Sequence, residues 1–222
     1  ALLHGEVIPF RYGEMESGAH SYGHRFMAPE PFAVFGLEQY LRQAEKRFVL
    51  PDAEKRKEII RREIEDIAGR LQAKINMDEE LLEEVAHLVE FPSAICGSFE
   101  EKYLQLPREL LITTMRENQR YFTLTGADGK LLPHFITIAN TRPADPDVVK
   151  RGNERVLRAR LADAMFFWKE DQKQLLENRL ETLKNVVFQA KLGTSYAKVM
   201  RIRDLAVELA DQFAPELIPA TE

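Results

Sequence analysis

The stretch YFTLTGADGKLLPHFITI (121–138) decides the reading of the fold. Its two ends, 121–125 and 134–138, are rich in β-branched and aromatic residues. Asp128-Gly129 between them is a hairpin-type turn signal, since glycine supplies the positive φ that tight turns need. Upstream, 93–98 reads as a further, buried strand. Residues 107–117 read as a helix with Pro107 in its first turn, where the missing N–H costs nothing. Strands separated by a helix place a mixed α/β module in residues 1–140.

Toward the N-terminus the period becomes helical. Ile60, Ile64, Ile67 and Leu71 recur at i, i+4, i+7 and i+11, which predicts an amphipathic helix over 52–75 with Asp52 as N-cap. Its lysines and arginines alternate with glutamates and read as a solvated face. A second helix covers 78–89 and stops before Phe91-Pro92, because a residue preceding proline is pushed out of the helical region. Residues 36–49 read as a helix, carried by Leu37, Leu41 and Ala44, that runs into a short strand. The first 35 residues are extended and turn-rich, with 6–10 a short strand and breaks at Ser17-Gly18, Tyr22-Gly23, Pro29 and Pro31.

Beyond the sheet, 140–146 is polar, holds two prolines and reads as a linker. From there the pattern is helical nearly to the end, broken near Gly193. The segment RGNERVLRARLADAMFFWKE (151–170) fits one continuous helix. Arg151, Arg155 and Arg158 fall on one side of it, and Leu157, Leu161, Ala164 and Trp168 on another. The clustering of Phe166, Phe167 and Trp168 predicts a buried junction with the α/β module. Between Lys150 and Arg160 stand five basic residues and one acid, in a chain of net charge −5. That balance argues against nucleic-acid binding by the whole surface and leaves room for a local patch, where guanidinium groups can pair bidentately with phosphate. A solvated helix face is the competing reading. Arg116, Asn118, Gln119, Arg120 and Tyr121 form a second candidate, with the arginines for phosphate, the amides for polar edges and the tyrosine for stacking. Its competing reading has Tyr121 and Phe122 packed inward and Arg116 serving the helix C-terminus.

Other chemistry is poorly represented. The chain holds no GxxxxGK[ST] phosphate loop, no GxGxxG fingerprint and no GxSxG elbow. Cys96 is its single cysteine, which rules out a CxxC zinc site in these residues and reads as a buried, reduced thiol of a cytoplasmic protein. His20 and His24 are spaced for one helix face, yet Gly18 and Gly23 disfavour a helix there. Turn stabilisation suits Ser17, His20 and His24 better than metal or hydrolytic chemistry. No apolar run is long enough to cross a bilayer.

Five motifs in one order carry a resemblance: LHGEVIPF (3–10), SG with YGHRF (17–26), FPSAICGSF (91–99), LPREL with MRENQRYF (106–122) and RGNERVLRARLADAMFFW (151–168). Together they resemble the beta subunit of bacterial heterotetrameric glycyl-tRNA synthetase, over nearly the whole chain up to KLGT (191–194). The resemblance implies an α+β chain that is an internal piece of that subunit. Residues 1–140 would be similar to the editing-type domain of the phenylalanyl-tRNA synthetase beta chain. Residues 141–190 would be a linker and the long basic, aromatic helix, and 191–222 the start of a helical domain similar to His-Asp phosphohydrolases. No His-Asp dipeptide is present to support that chemistry. The expected role is tRNA binding, through Arg116, Gln119, Arg120, Arg151, Arg155, Arg158 and Arg160, with no catalytic or metal-binding residue here. Glycine activation, with its ATP and magnesium, is expected on the alpha subunit, in an assembly of two alpha and two beta chains that charges tRNA(Gly). Glycine is the smallest amino acid, so larger competitors can be excluded at activation, and an editing-type fold could be kept for RNA. The alternative is an assembly module that docks the alpha subunit or other beta domains.

Overall fold

The computed structural model describes residues 2–3 and 5–217 and divides into two compact units, Ala1–Met165 and Phe166–Glu222. The first unit opens with three short antiparallel hairpins: β1 (Leu2–Leu3) with β2 (Glu6–Val7), β3 (Arg11–Tyr12) with β4 (Met15–Glu16), and β5 (His20–Tyr22) with β6 (Pro31–Ala33). Ser17 closes the second of these: its Oγ accepts the Phe10 N–H at 2.9 Å and donates to the Ile8 carbonyl at 2.7 Å. Helix α1 (Leu37–Lys46) follows, then α2 (Ala53–Arg70). Asp52 caps α2 by accepting from the N–H of Glu54 at 2.9 Å and of Lys55 at 3.4 Å, as the sequence predicts. Strand β7 (Lys74–Ile75), helix α3 (Glu79–Leu88), strand β8 (Ser93–Ser98), helix α4 (Arg108–Gln119) and strands β9 (Phe122–Thr125) and β10 (Leu131–Ala139) complete the sheet region.

The sheet runs β7-β9-β10-β8, with every pair antiparallel. Alternation along its strands splits the core in two. Phe122, Leu124 and Ile136 face Ile60, Ile64 and Ile67 of α2 and Leu81, Leu82 and Val85 of α3. Tyr121, Leu131 and Phe135 face the other way, onto Leu111 and Met115 of α4 and onto Leu157 and Leu161 of α5 (Pro146–Asp171). Burying both faces of a four-stranded sheet between helices is what makes this unit stable.

One contact sets the spacing on the second face. The Phe135 ring lies directly over Gly97, its cross-strand partner, so a Cβ at position 97 would sit 2.3 Å from the ring's Cζ. The other side of that ring stacks on Tyr121, with centroids 4.4 Å apart and planes 18° from parallel.

The second unit holds the end of α5, then α6 (Leu176–Arg179), a 3-10 segment (Leu180–Asn185), an antiparallel pair β11 (Val187–Gln189) and β12 (Gly193–Thr194), and α7 (Ser195–Phe213). The chain is thus mixed helix and antiparallel sheet, in line with the α+β reading.

Four expectations need correction. No strand follows α1: Phe48 has φ 60°, a left-handed conformation that ends regular structure. Helix α2 ends at Arg70, not 75, because Gln72 adopts φ 51° and the chain leaves as β7. The second half is not all helix, since β11 and β12 pair within it. Phe166, Phe167 and Trp168, expected to be buried, are 58%, 63% and 36% exposed.

Gly97→Ala tests the packing directly. The Phe135 ring is fully buried and cannot retreat from Tyr121, so the added methyl should cost about 1–3 kcal/mol in urea denaturation. An unchanged midpoint would show that the ring can give way.

Candidate nucleic-acid interface

Helix α5 is fixed before it presents anything. Pro146 begins it, and the Asp145 carboxylate accepts the Asp147 N–H at 3.0 Å. Leu157 and Leu161, one turn apart, are fully buried. Between these and the helix start, two polar side chains reach the sheet. The Tyr121 hydroxyl donates to Asn153 Oδ1 at 2.6 Å, and Asn153 in turn donates to the Val149 carbonyl at 2.8 Å. Glu154 Oε1 accepts the N–H of Ser98 at 2.9 Å and its Oγ–H at 3.0 Å. Burial pushes the Tyr121 phenol up to about 12, which keeps it a donor.

Those four positions fix the rotation of α5 about its axis. At about 100° per residue, Arg151, Arg155 and Arg158 lie on one arc, roughly a third of a turn from the buried stripe. All three are exposed. Arg151 approaches Asp145 at 3.9 Å and Arg158 approaches Glu100 at 3.7 Å, with 64% and 60% of the arginine side chains exposed. Arg155 has no carboxylate partner among the described residues. Arg160 is exposed too, but lies about half a turn from these three.

The α4 segment is differently disposed. Arg116 Nε donates to Asp78 Oδ2 at 2.6 Å and its terminal nitrogens to Glu80 at 3.0 Å and to Glu117. These bonds hold its pKa well above the ordinary arginine value. Burial works against the Asp78 carboxylate, yet the bonds from Arg116 and from the Leu81 N–H keep its pKa below the usual range. Asp78 is also the N-cap of α3, so Arg116 ties the end of α4 to the start of α3. Arg120 ends α4 in the left-handed conformation, φ 56°, and donates to Glu84 Oε1 at 2.7 Å and to the Glu117 carbonyl. Gln119 is half-buried beside it. Tyr121 is buried against Phe135 and does not offer a free stacking face, which corrects that expectation. The inward-packing reading holds for Tyr121 and Phe122, on opposite faces of the sheet.

His24 is likewise consumed by the fold. Its Nδ1 accepts the N–H of Phe26 at 3.2 Å and of Met27 at 3.4 Å, which puts the proton on Nε2, and Nε2 donates to the Asn140 carbonyl at 2.5 Å. Asn140 Oδ1 accepts the N–H groups of Glu90 and Phe91, so one residue joins the first hairpins to the sheet region. Sequence reasoning missed Asn140, Asn153 and Glu154. Their partners lie 32 to 116 residues away, beyond the reach of local spacing.

The family model described as glycyl-tRNA synthetase beta subunit matches residues 1–221. A glycine–tRNA ligase beta subunit of Syntrophotalea carbinolica is 62% identical over all 222 residues. The chain belongs to the glycyl-tRNA synthetase beta subunit family. Similar relatives are the beta subunits of Citrifermentans bemidjiense, 55% identical over the whole chain, and Geobacter sulfurreducens, 56% identical over 97% of it. The chain spans 32%, 32% and 31% of the length of these three curated relatives. Among the described residues, no helix is long and apolar enough to cross a membrane.

Tyr121→Phe removes one of the contacts that fix the rotation of α5. It should lower stability by about 1 kcal/mol, and Asn153→Ala should cost less in the Tyr121→Phe background than in the parent, because the two side chains share one bond. Fully additive losses in a double-mutant cycle would show that the two side chains act independently.

Proposed function

We propose that this chain is a tRNA-contacting part of a glycine–tRNA ligase beta subunit, and that Arg151, Arg155 and Arg158 on α5 meet the phosphate backbone of tRNA(Gly). The observation that carries the reading is the contrast between the two arginine sets. Arg116 has its guanidinium committed to three carboxylates, whereas Arg151 and Arg158 stand 3.9 and 3.7 Å from the exposed carboxylates of Asp145 and Glu100, and Arg155 has no carboxylate partner among the described residues. Exposed pairs of that kind are worth about 0–1 kcal/mol, so phosphate can displace them cheaply. Arg160, on the opposite side of α5, and Arg120 and Gln119, at the end of α4, are secondary candidates. The sheet-bearing unit is read as an editing-type fold put to RNA binding, and the second unit as the start of a His-Asp-phosphohydrolase-like helical domain. Glycine activation with ATP and magnesium belongs to the alpha subunit, in a cytoplasmic assembly of two alpha and two beta chains.

A docking role has its own support. Phe10, Tyr12, Phe26 and Phe35 in the first hairpins and their connections are exposed apolar surface of the kind that meets another protein. The two readings separate in one experiment on the holoenzyme whose full-length beta subunit carries Arg151→Gln, Arg155→Gln and Arg158→Gln. Each lost phosphate contact should flatten the slope of log affinity for tRNA against log salt by about 0.7–0.9, while glycine-dependent ATP–pyrophosphate exchange stays at the parental level. Weakened alpha–beta association with both activities falling together would instead favour docking. A parental affinity and slope would remove α5 from the RNA interface.

A further inference from the structure

Strand β8 lies at one edge of the sheet, and the direction of its N–H groups is fixed by its neighbours. Phe99 just beyond it donates inward to the Pro133 carbonyl at 3.0 Å. The even-numbered residues therefore turn their N–H groups outward, in the alternation of an antiparallel pair. Two of these are held by carboxylates that arrive from opposite faces of the sheet. Ala94 N–H donates to Glu63 Oε2 of α2 at 2.7 Å, and Ser98 N–H donates to Glu154 Oε1 of α5 at 2.9 Å. Cys96, midway between them, turns its N–H to the same edge. The opposite edge strand, β7, is only two residues long and makes a poor template.

The segment that forms the β8 edge, SAICGS (93–98), is uncharged and free of proline. A six-residue strand of that composition with outward donors is a site for strand addition, and two copies of it can pair antiparallel across a two-fold axis. We infer that Glu63 and Glu154 are edge guards, which keep β8 from pairing with β8 of a second copy of this chain. Each carboxylate occupies a donor that an incoming carbonyl would need, through a charge-assisted bond stronger than the one replacing it. In a β8–β8 pair the four carboxylates of the two copies would also be forced together, which adds like-charge repulsion.

The test is sedimentation equilibrium of the chain carrying Glu63→Ala and Glu154→Ala, alongside the parent. The double variant should self-associate at least tenfold more tightly than the parent, with its circular dichroism unchanged. Adding Ala94→Pro should return it to parental behaviour, because proline removes an outward N–H at a position where an edge strand tolerates it. A folded double variant that associates no more than the parent overturns the inference. So does association that Ala94→Pro leaves intact, which would reflect exposed core and not strand pairing. Should the double variant lose its fold, each single alanine variant frees one donor and meets the same comparison, with a smaller expected gain.

Discussion

The Phe135 ring, held between Gly97 and Tyr121, is the contact on which the rest depends. On one side it lies so close to the backbone of β8 that only glycine fits beneath it. On the other it stacks on Tyr121, and this fixes where the phenol points. The hydroxyl then meets Asn153 and, together with Glu154, Leu157 and Leu161, fixes the rotation of α5, which turns Arg151, Arg155 and Arg158 outward. A side chain in the middle of a sheet thus controls the chemistry of a surface it never reaches. Close-packed interiors transmit such constraints because they leave no room to absorb a shift.

The same arrangement resolves an oddity of the composition. A chain of net charge −5 can hold a basic face if its acids lie, or are paired, elsewhere. Much of the acidic surface of α3 is occupied in this way: Asp78 and Glu80 with Arg116, Glu79 with Arg61, Glu83 with Lys57 and Glu84 with Arg120. These pairs stitch α2 and α4 to α3. The arginines of α5 face fewer and more distant acids, so their charge is left to act at the surface. Glu154, the acid in their midst, is turned away to the edge of β8.

Much of this was legible along the sequence. Strand β8 spans the residues the sequence predicts, Asp52 and Asp78 cap helices at the predicted starts, and the hairpin around Asp128-Gly129 pairs β9 with β10. These signals are local, carried by caps, turns and periodicity. The misses have a common cause. Strands of two or three residues such as β7, β11 and β12 are too short to show a period, and they exist because a neighbour supplies hydrogen bonds. Periodicity groups Phe166, Phe167 and Trp168 with other apolar residues, but it cannot say whether anything covers them. The commitment of Arg116 was equally hidden, since Asp78 lies 38 residues away. The family, by contrast, was readable from five motifs in order, and the whole-chain match bears it out.

The central claim is that the face carrying Arg155 meets RNA. It is tested most directly by placing a photoreactive benzoylphenylalanine at position 155 of the full-length beta subunit, and a second at position 84 on α3 as a control. The holoenzyme is then irradiated with tRNA(Gly). The account predicts a crosslink from position 155 to tRNA, lost on adding salt, and none from position 84. A crosslink from position 155 to the alpha subunit, with none to RNA, would contradict it.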